Sequence, residues 1–173
     1  MMNFMERKIK GMFNVYTDGA CKGNGKEGSK GGWAYAVYDD NGELLLSESR
    51  HEENTTNQRM EISAILEACK TIESLDNHNP IFVCNVYSDS AYCIRCCTER
   101  WYNRWESNGW KTASREKVKN KDLWEQLIPY FRDHRFTFIK VKGHANCKEN
   151  NFVDELAQAA AVRTQFDDDE EEK

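Results

Sequence analysis

The sequence predicts an α/β fold built on a five-stranded mixed sheet. The first half of the chain carries three segments with strand character, and the second half alternates helical patterns with single strands. A hairpin signal, Asn41-Gly42, lies between the second and third of these segments. The predicted order is therefore β-β-β-α-β-α-β-α, with antiparallel strands followed by parallel strands that helical crossovers connect.

Each strand is predicted from alternating apolar and polar residues or from an apolar run. The first alternates from Phe13 and breaks at Gly19, so Asp18 is expected at its C-terminal end. The fourth is a mostly apolar run that suits a buried strand and leads to Asp89. The five predicted strands span residues 13–18, 32–39, 43–50, 81–87 and 136–141.

Helices are predicted where apolar residues recur at helical spacing. The first begins at about Asn57, and Ile65 and Ile72 continue the helix edge that carries Glu61. Glu61 is therefore expected to face the sheet. The predicted helices span residues 57–73, 90–107, 121–133 and 153–161.

Four carboxylates are placed so that they can share one site. Asp18 and Asp89 follow strands, and open α/β sheets bind ligands beyond the carboxyl ends of their strands. Glu61 faces the sheet, and Asp154 lies early in a helix, where the helix dipole favours an anion. Each has an ordinary alternative as a turn residue, an N-cap or a solvated helix charge. Together they predict a divalent-metal site, because two hard cations about 4 Å apart need several shared oxygen ligands.

Composition places the chain among globular proteins of one domain, since 173 residues with 39% hydrophobic content can bury one sizeable core. No apolar stretch approaches the roughly 20 residues of a membrane span, and the first residues lack a signal-peptide apolar region. We therefore expect an intracellular protein without a membrane partner. The seven cysteines form no paired framework, so reduced thiols are expected. Cys93, Cys96 and Cys97 lack the second ligand pair of a zinc site.

The formal net charge of −5 comes from the C-terminal end, where residues 167–173 hold six acids and one lysine. The rest of the chain is neutral in sum. Within it, the segment from Arg95 to Lys121 carries eight Lys or Arg against three Glu. Trp101 and Trp105 lie among these cations, which suits contact with nucleic acid. Because they are four residues apart, the two indoles have an alternative role in a local core.

Each of the four carboxylates lies inside a longer motif. The motifs are Tyr16-Thr17-Asp18-Gly19-Ala20, Thr56-Asn57-Gln58-Arg59-Met60-Glu61, Ser88-Asp89-Ser90-Ala91-Tyr92, and Lys142-Gly143-His144-Ala145 with Asp154-Glu155-Leu156-Ala157. In order and spacing they resemble one family, type 1 ribonuclease H. The resemblance covers roughly 150 residues, from Phe13 to about Arg163. A lone Thr-Asp-Gly is a weak signal, whereas four motifs in order, each with one ligand, are hard to meet by chance.

The resemblance implies a ribonuclease H-like fold with helices on both sheet faces and a basic helical protrusion that grips the DNA strand. It implies an endonuclease that hydrolyses the RNA strand of RNA/DNA hybrids and leaves 5′-phosphate and 3′-hydroxyl ends. By the same resemblance, Asp18, Glu61, Asp89 and Asp154 hold two Mg²⁺ ions, with Mn²⁺ as an alternative. His144 matches a loop histidine that assists proton transfer or product release.

The resemblance also implies contacts to both strands of the substrate. Asn24, Asn57 and Gln58 match positions that test for 2′-hydroxyl groups, a task that suits amides because they both donate and accept hydrogen bonds. The same residue types also serve in turns and helix caps, which stays an alternative here. The positions that match DNA-strand contacts are Trp101 and Trp105 against sugars, and Thr56 and Asn120 in part of a phosphate pocket.

Three residues depart from the pattern of some relatives. Asn54 stands where some carry an arginine of the phosphate pocket, and Ala113 replaces a serine of the DNA channel. A weaker grip on the DNA strand is the expected consequence. Asn146 replaces a glycine in the loop that carries His144, and Asn tolerates the left-handed backbone angles of such turns.

We expect residues 13–163 to form the catalytic domain, with a short extension over 1–12 and an acidic, disordered tail over 164–173. The start methionine and the acidic end favour a free-standing protein over a domain of a reverse transcriptase, and a monomer is expected. Two further alternatives stay open. One is an inactive module that only binds hybrids or duplexes, and the other is a different nuclease of the ribonuclease H-like superfamily.

Overall fold

A five-stranded sheet forms the centre of the computed structural model of this chain, which describes residues 11–75, 82–143 and 146–163. The strands are β1 (Gly11–Lys22), β2 (Lys30–Tyr38), β3 (Leu44–Glu53), β4 (Phe82–Ser88) and β5 (Phe136–Lys140). The helices of the described residues are α1 (Asn57–Leu75), α2 (Ala91–Thr98), α3 (Trp101–Ser107), α4 (Lys121–Arg132) and α5 (Lys148–Val162).

The sheet is mixed, as predicted, with the strand order β3-β2-β1-β4-β5. The pairs β1/β2 and β2/β3 are antiparallel, and the pairs β1/β4 and β4/β5 are parallel. The predicted hairpin joins β2 to β3. Its turn is held by the Asp39 carboxylate, which accepts hydrogen bonds from the backbone N–H groups of Asn41 at 2.9 Å and Glu43 at 2.8 Å.

Strand β1 continues beyond the end predicted for it at Asp18. Its parallel pairing with β4 stops at Thr17 opposite Ser88, but its antiparallel pairing with β2 continues to Lys22. Gly19 does not end the strand because it pairs with Trp33 of β2. Asp18 therefore lies in mid-strand, at the first position of β1 that has no β4 partner.

Helices α1 and α5 cover opposite faces of the sheet. A Cβ atom on Gly31 would lie 2.8 Å from the Met60 side chain of α1, whereas one on Gly32 would lie 2.3 Å from the Ala157 carbonyl oxygen of α5. Neighbouring residues of a strand point to opposite faces, so the two helices approach β2 from opposite sides. This confirms the predicted placement of helices on both faces.

The apolar stripe predicted for α1 is buried against the sheet. Each large apolar side chain that leaves water there stabilises the fold by roughly 1.5–3 kcal/mol. This packing fixes the helix that carries Glu61. The buried apolar residues of the helix are Met60, Ile62, Ala64, Ile65, Leu66, Ala68, Cys69 and Ile72.

Two helix boundaries differ from the predictions. The helix predicted over residues 90–107 is broken at Arg100, whose φ of 53° is left-handed and cannot continue an α-helix. Helix α5 begins at Lys148, well before Val153, so Asp154 is its seventh residue and not part of its first turn. The dipole explanation for Asp154 is therefore wrong, because the dipole acts mainly within the first turn.

The described residues contain no helix that is both long and apolar enough to cross a membrane. All seven cysteines carry free thiols, and Cys93 and Cys96 lie on the buried side of α2. The predicted roles of His144, of residues 1–10 and of the tail over 164–173 fall outside the described residues.

Candidate active site

Three predicted carboxylates meet where β4 ends. One oxygen atom from each of Asp18, Glu61 and Asp89 lies within 4.8 Å of the others. Asp18 comes from β1, Glu61 is the fifth residue of α1, and Asp89 directly follows β4. Asp18 is only 6% exposed, and the other two are half-buried. Each carboxylate is thus held by, or next to, a regular element of the core.

Glycine at position 19 allows β1 and α1 to approach each other. A Cβ atom on Gly19 would lie 2.4 Å from the backbone nitrogen of Glu61, closer than any real side chain permits. The absence of this atom brings the start of α1 against the strand that carries Asp18. Because β4 ends at Ser88, no neighbouring strand blocks Asp18 on that side.

Asp154, the fourth predicted ligand, is not one of the three clustered carboxylates but borders the same cleft of about 260 Å³. Its carboxylate adds to the raised pKa of Asp18 and accepts a hydrogen bond from Gln158 Nε2 at 3.3 Å. Asp18 therefore neighbours both the pair Glu61 and Asp89 and the separate Asp154. It is the carboxylate common to the two parts of the site.

Burial and crowding favour a proton on this cluster. Burial raises the pKa of Asp18 to about 8, with a further contribution from the charge of Asp89, while the backbone N–H of Gly19 opposes the shift. Burial also raises the pKa of Glu61, against hydrogen bonds from Ser90 and Asn57. A bound divalent cation would replace the proton, so the donor set of hard oxygens fits such an ion.

The substitution Asp89→Asn is expected to stabilise the metal-free fold by about 1 kcal/mol at pH 7. It removes the charge that, after burial, contributes most to the raised pKa of Asp18. Thermal melting in chelator measures the effect. Asp122→Asn serves as the control, because it breaks an ion pair with Arg59 and should lower the melting temperature. A lower melting temperature for Asp89→Asn than for wild type would contradict the expectation.

The segment after β5 also packs against the cluster. A Cβ atom on Gly143 would lie 2.8 Å from Asp89 Oδ2, so only glycine fits there without displacing the carboxylate. Gly143 directly precedes His144, the predicted accessory histidine, which lies outside the described residues.

Two of the predicted amides form a hydrogen-bonded chain that ends on a carboxylate of the cluster. The backbone N–H of Asn57 donates to Asn24 Oδ1 at 2.8 Å, and Asn57 Nδ2 donates to Glu61 Oε1 at 3.2 Å. Asn57 is the first residue of α1, but the side chain that caps the helix is Thr56, whose Oγ1 accepts from the backbone N–H of Arg59 at 3.1 Å. Gln58 follows Asn57 and is exposed.

Arg59, which is not among the predicted site residues, connects the two predicted phosphate-pocket residues. Its backbone bonds to Thr56, and its guanidinium Nη1 donates to Asn120 Oδ1 at 3.3 Å. The same guanidinium makes a bidentate pair with Asp122 at 3.1 and 2.7 Å. Asn54 lies in a nearby turn with φ 52° and accepts a hydrogen bond from Gly28. No local pattern reveals the contacts of the Arg59 guanidinium, because its partners Asn120 and Asp122 lie about sixty residues away in the chain.

The two predicted tryptophans line a second groove, of about 640 Å³. Their ring centroids are 6.4 Å apart, and Trp105 is only 7% exposed because it packs on Trp124 in the core. Trp101 is half-buried and donates from Nε1 to Glu99 at 2.7 Å. The alternative role in a local core therefore applies mainly to Trp105, although both tryptophans line the groove. The other lining residues are Tyr92, Glu99, Arg100, Asn103, Arg104, Lys111, Thr112 and Ala113.

A family model described as RNase H matches residues 10–162. The chain belongs to the RNase H family. The ribonuclease H of Moorella thermoacetica is 44% identical over 154 residues, which cover 87% of this chain and 93% of the relative. The ribonuclease H of Clostridium botulinum strain Hall is 42% identical over 146 residues, which cover 84% of this chain and 93% of the relative.

A solved structure supports the same assignment. The crystal structure of a type 1 RNase H with the type 2 active-site motif superposes with a TM-score of 0.72 at 29% identity, covering 87% of this chain and 72% of that one. The predicted family and fold class are therefore confirmed, and the protein is an endoribonuclease. Divalent-metal dependence is a property of the RNase H family, and the buried acidic cluster agrees with it.

Proposed function

We propose that this RNase H hydrolyses the RNA strand of RNA/DNA hybrids with two magnesium ions and leaves 5′-phosphate and 3′-hydroxyl ends. The observation that carries the proposal is the carboxylate cluster, in which Asp18 neighbours Glu61 and Asp89 and also Asp154. One ion can be held by the first three residues and the other by Asp18 with Asp154. When bound, the ions supply activated water and neutralise charge on the phosphate.

The surrounding residues hold the cluster in place for this reaction. Asn57 Nδ2 donates to Glu61 Oε1 at 3.2 Å and so orients this carboxylate from one turn earlier in α1. Gly143 sets the backbone directly against Asp89, which supports a role for the next residue beside the cluster. We therefore assign His144 an accessory role in moving a proton at the leaving oxygen or in product release.

The hydrogen bonds of Asn24 and Asn57 determine which of their atoms remain for a ribose. The oxygen of Asn24 accepts from the backbone of Asn57, which leaves Asn24 Nδ2 as a donor. The Nδ2 group of Asn57 donates to Glu61, which leaves Asn57 Oδ1 as an acceptor. A 2′-hydroxyl both donates and accepts hydrogen bonds, whereas the 2′ position of a deoxyribose does neither. The two amides therefore suit recognition of ribose next to the metal site.

The substitution Asn57→Ala is expected to lower cleavage of a hybrid about tenfold. It removes an acceptor for the RNA and a hydrogen bond to Glu61. The test is a double-mutant cycle between the protein variant and the substrate. Each hybrid carries a single 2′-deoxy substitution in its RNA strand, on one side or the other of the cleavage position, and the cleavage rate is measured. At one position, we expect the 2′-deoxy substitution to lower the cleavage rate of wild type but not that of the variant.

The control for this cycle is Asn85→Ala, which removes an amide of β4 that bonds to Asn14 on the sheet, away from the cluster. It should leave every deoxy penalty unchanged. Penalties for Asn57→Ala that equal those of wild type at all positions would show that Asn57 does not contact a 2′-hydroxyl.

The groove lined by Trp101 and Trp105 supports contact with the DNA strand, because it combines aromatic side chains with Arg100, Arg104 and Lys111. Some of the positive charge of the segment is already paired, since Arg95 forms an ion pair with Glu99. We also propose that residues 13–163 act as one catalytic domain and as a monomer. Asp18, Glu61, Asp89 and Asp154 line one cleft of the same domain, which supports a site that is complete within it.

Cleavage of an end-labelled RNA/DNA hybrid in magnesium tests the proposal. Single-stranded RNA, duplex RNA and duplex DNA are the comparison substrates, and chelator is the metal control. Cutting of only the hybrid's RNA, with 5′-phosphate products, is expected. Retained hybrid binding without cutting would instead favour an inactive binding module, and cutting of another substrate would favour a different branch of the superfamily.

A further inference from the structure

Arg59 bonds to two residues that the proposed function places around a phosphate of the DNA strand. Its backbone N–H donates to Thr56 Oγ1 at 3.1 Å, and its guanidinium Nη1 donates to Asn120 Oδ1 at 3.3 Å. A single residue thus connects the start of α1 with the residue before α4. The side chain of Arg59 is 32% exposed, so the contacts lie at the border of the core.

The guanidinium determines which end of the Asn120 amide faces outward. Arginine has five N–H donors and no acceptor, so only the amide oxygen of Asn120 can face it. The Nδ2 group must then point away from Arg59, and among the described residues it donates to no other group. The backbone of Asn120 is held in the left-handed region with φ 57°, which Asn tolerates better than most residues.

The hydroxyl of Thr56 is oriented by the same residue. Its oxygen accepts from the Arg59 backbone, and its hydrogen forms no bond with any described residue. The hydroxyl can therefore donate to an external oxygen. Thr56 and Asn120 thus both retain donors, and a phosphate in its diester form offers only acceptors.

Asp122 keeps the guanidinium in this position. Its two carboxylate oxygens accept from Nη1 and Nη2 of Arg59 at 3.1 and 2.7 Å, the parallel geometry that fixes a guanidinium plane. The carboxylate also balances the charge of Arg59. Recognition of a phosphate by Thr56 and Asn120 then depends more on oriented hydrogen-bond donors than on an unpaired positive charge.

We infer that Arg59 is a positioning residue whose guanidinium orients Asn120, beside a Thr56 hydroxyl held by the Arg59 backbone, so that both present hydrogen-bond donors to one phosphate of the DNA strand. The inference rests on the proposed function, which assigns Thr56 and Asn120 to the DNA strand. Without Arg59 the Asn120 amide is free to turn its oxygen outward, where it would repel a phosphate.

A methylphosphonate scan tests the inference, because this substitution removes the charge and one acceptor oxygen from a single phosphate. Hybrids with one methylphosphonate at successive DNA positions are cleaved by wild type and by Arg59→Gln. Glutamine both donates and accepts, so it does not fix the amide direction. In wild type we expect one position to raise KM about tenfold, with kcat nearly unchanged. In Arg59→Gln that penalty should fall to about twofold, while penalties at other positions stay the same.

A second variant, Asn120→Asp, separates orientation from folding. The carboxylate keeps and strengthens the contact with Arg59, so the melting temperature should not fall, but it presents acceptors to the phosphate. For Asn120→Asp we therefore expect the opposite effect: the hybrid with the methylphosphonate at that position should have a lower KM than the unmodified hybrid. Arg135→Gln is the matched control, because it breaks a comparable bidentate pair with Asp133 elsewhere in the molecule and should leave the scan unchanged.

An unchanged scan in Arg59→Gln, or a penalty in Asn120→Asp that keeps its wild-type sign, would overturn the inference. Cleavage of the unmodified hybrid by wild type reports separately on the proposed function. If wild type cleaves hybrids but shows no position-specific penalty, only the inference about Arg59 fails. If wild type cleaves no hybrid, the proposed function itself fails.

Discussion

Asp18→Asn is expected to lower hybrid cleavage by about a thousandfold or more and, at the same time, to stabilise the metal-free protein. The loss of activity follows because Asp18 neighbours both parts of the carboxylate site, so its replacement weakens the binding of both ions. A neutral amide oxygen is a poorer ligand than a carboxylate for a hard cation.

The gain in stability follows from the burial of Asp18, which is only 6% exposed. At pH 7 the buried carboxyl must hold a proton or ionise beside Asp89, and both cost free energy relative to the unfolded chain. The amide oxygen can still accept from the Gly19 N–H, and the uncharged NH₂ group no longer repels the neighbouring Asp154. We expect stabilisation by about 4 kcal/mol at pH 7 and almost none near pH 4.

Two measurements check this expectation: the single-turnover cleavage rate in magnesium, and melting in chelator at pH 7 and pH 4. Asp39→Asn is the matched control, because Asp39 holds the hairpin turn far from the cluster and should retain full activity. Activity within tenfold of wild type, or a melting temperature that falls at pH 7, would contradict the assigned role of Asp18.

At subsaturating magnesium, cleavage is expected to rise about tenfold per pH unit up to about pH 8. The raised pKa of Asp18, about 8, means that the metal-free site holds a proton that must leave before a cation binds. Saturating magnesium should shift the rise to lower pH, because a bound cation favours the ionised carboxylate. In Asp18→Asn, magnesium binding should no longer depend steeply on pH.

The same proton makes the stability of the metal-free fold depend on pH. The pKa of Asp18 is higher in the folded chain than in the unfolded chain, so the folded state retains a proton that the unfolded state loses above about pH 4. Stability is therefore greatest below that value and falls by about 1.4 kcal/mol per unit as the pH rises towards 8. The carboxyls of Asp122 and Asp133 have lowered pKa values and act in the opposite direction, but only at more acidic pH.

Magnesium titrations at several pH values measure this linkage through both the cleavage rate and the melting temperature. Magnesium should raise the melting temperature more at pH 8 than at pH 6, because fewer protons compete for the site. A magnesium affinity that is independent of pH between 6 and 8 would show that Asp18 is ionised throughout this range, and the predicted linkage would be wrong.

Most of the fold could be predicted from local patterns. Alternation and helical spacing identified every strand and the apolar face of α1, and Asn41-Gly42 identified the hairpin. The errors lie at boundaries, where tertiary contacts decide. Gly19 continues β1 because β2 pairs with it, and Arg100 divides a helix that its neighbours would otherwise extend.

The candidate site could be predicted in its residue types but not in its internal arrangement. The motifs placed Asp18, Glu61, Asp89 and Asp154 near one another, and the structure brings three together with the fourth beside Asp18. The misplacement of Asp154 in a first helical turn arose because α5 starts with polar residues that carry little helical periodicity.

The sequence by itself determined the family, the order of elements and the identity of the candidate ligands, because these depend on local residue patterns. Only the tertiary structure decided that Asp18 is common to both parts of the site and which atoms of Asn57 and Asn120 face the substrate. Those features depend on hydrogen bonds between distant segments, such as Arg59 to Asn120 across 61 positions of the chain. The direction of an amide is fixed by its partner, and the partner is known only after the chain has folded.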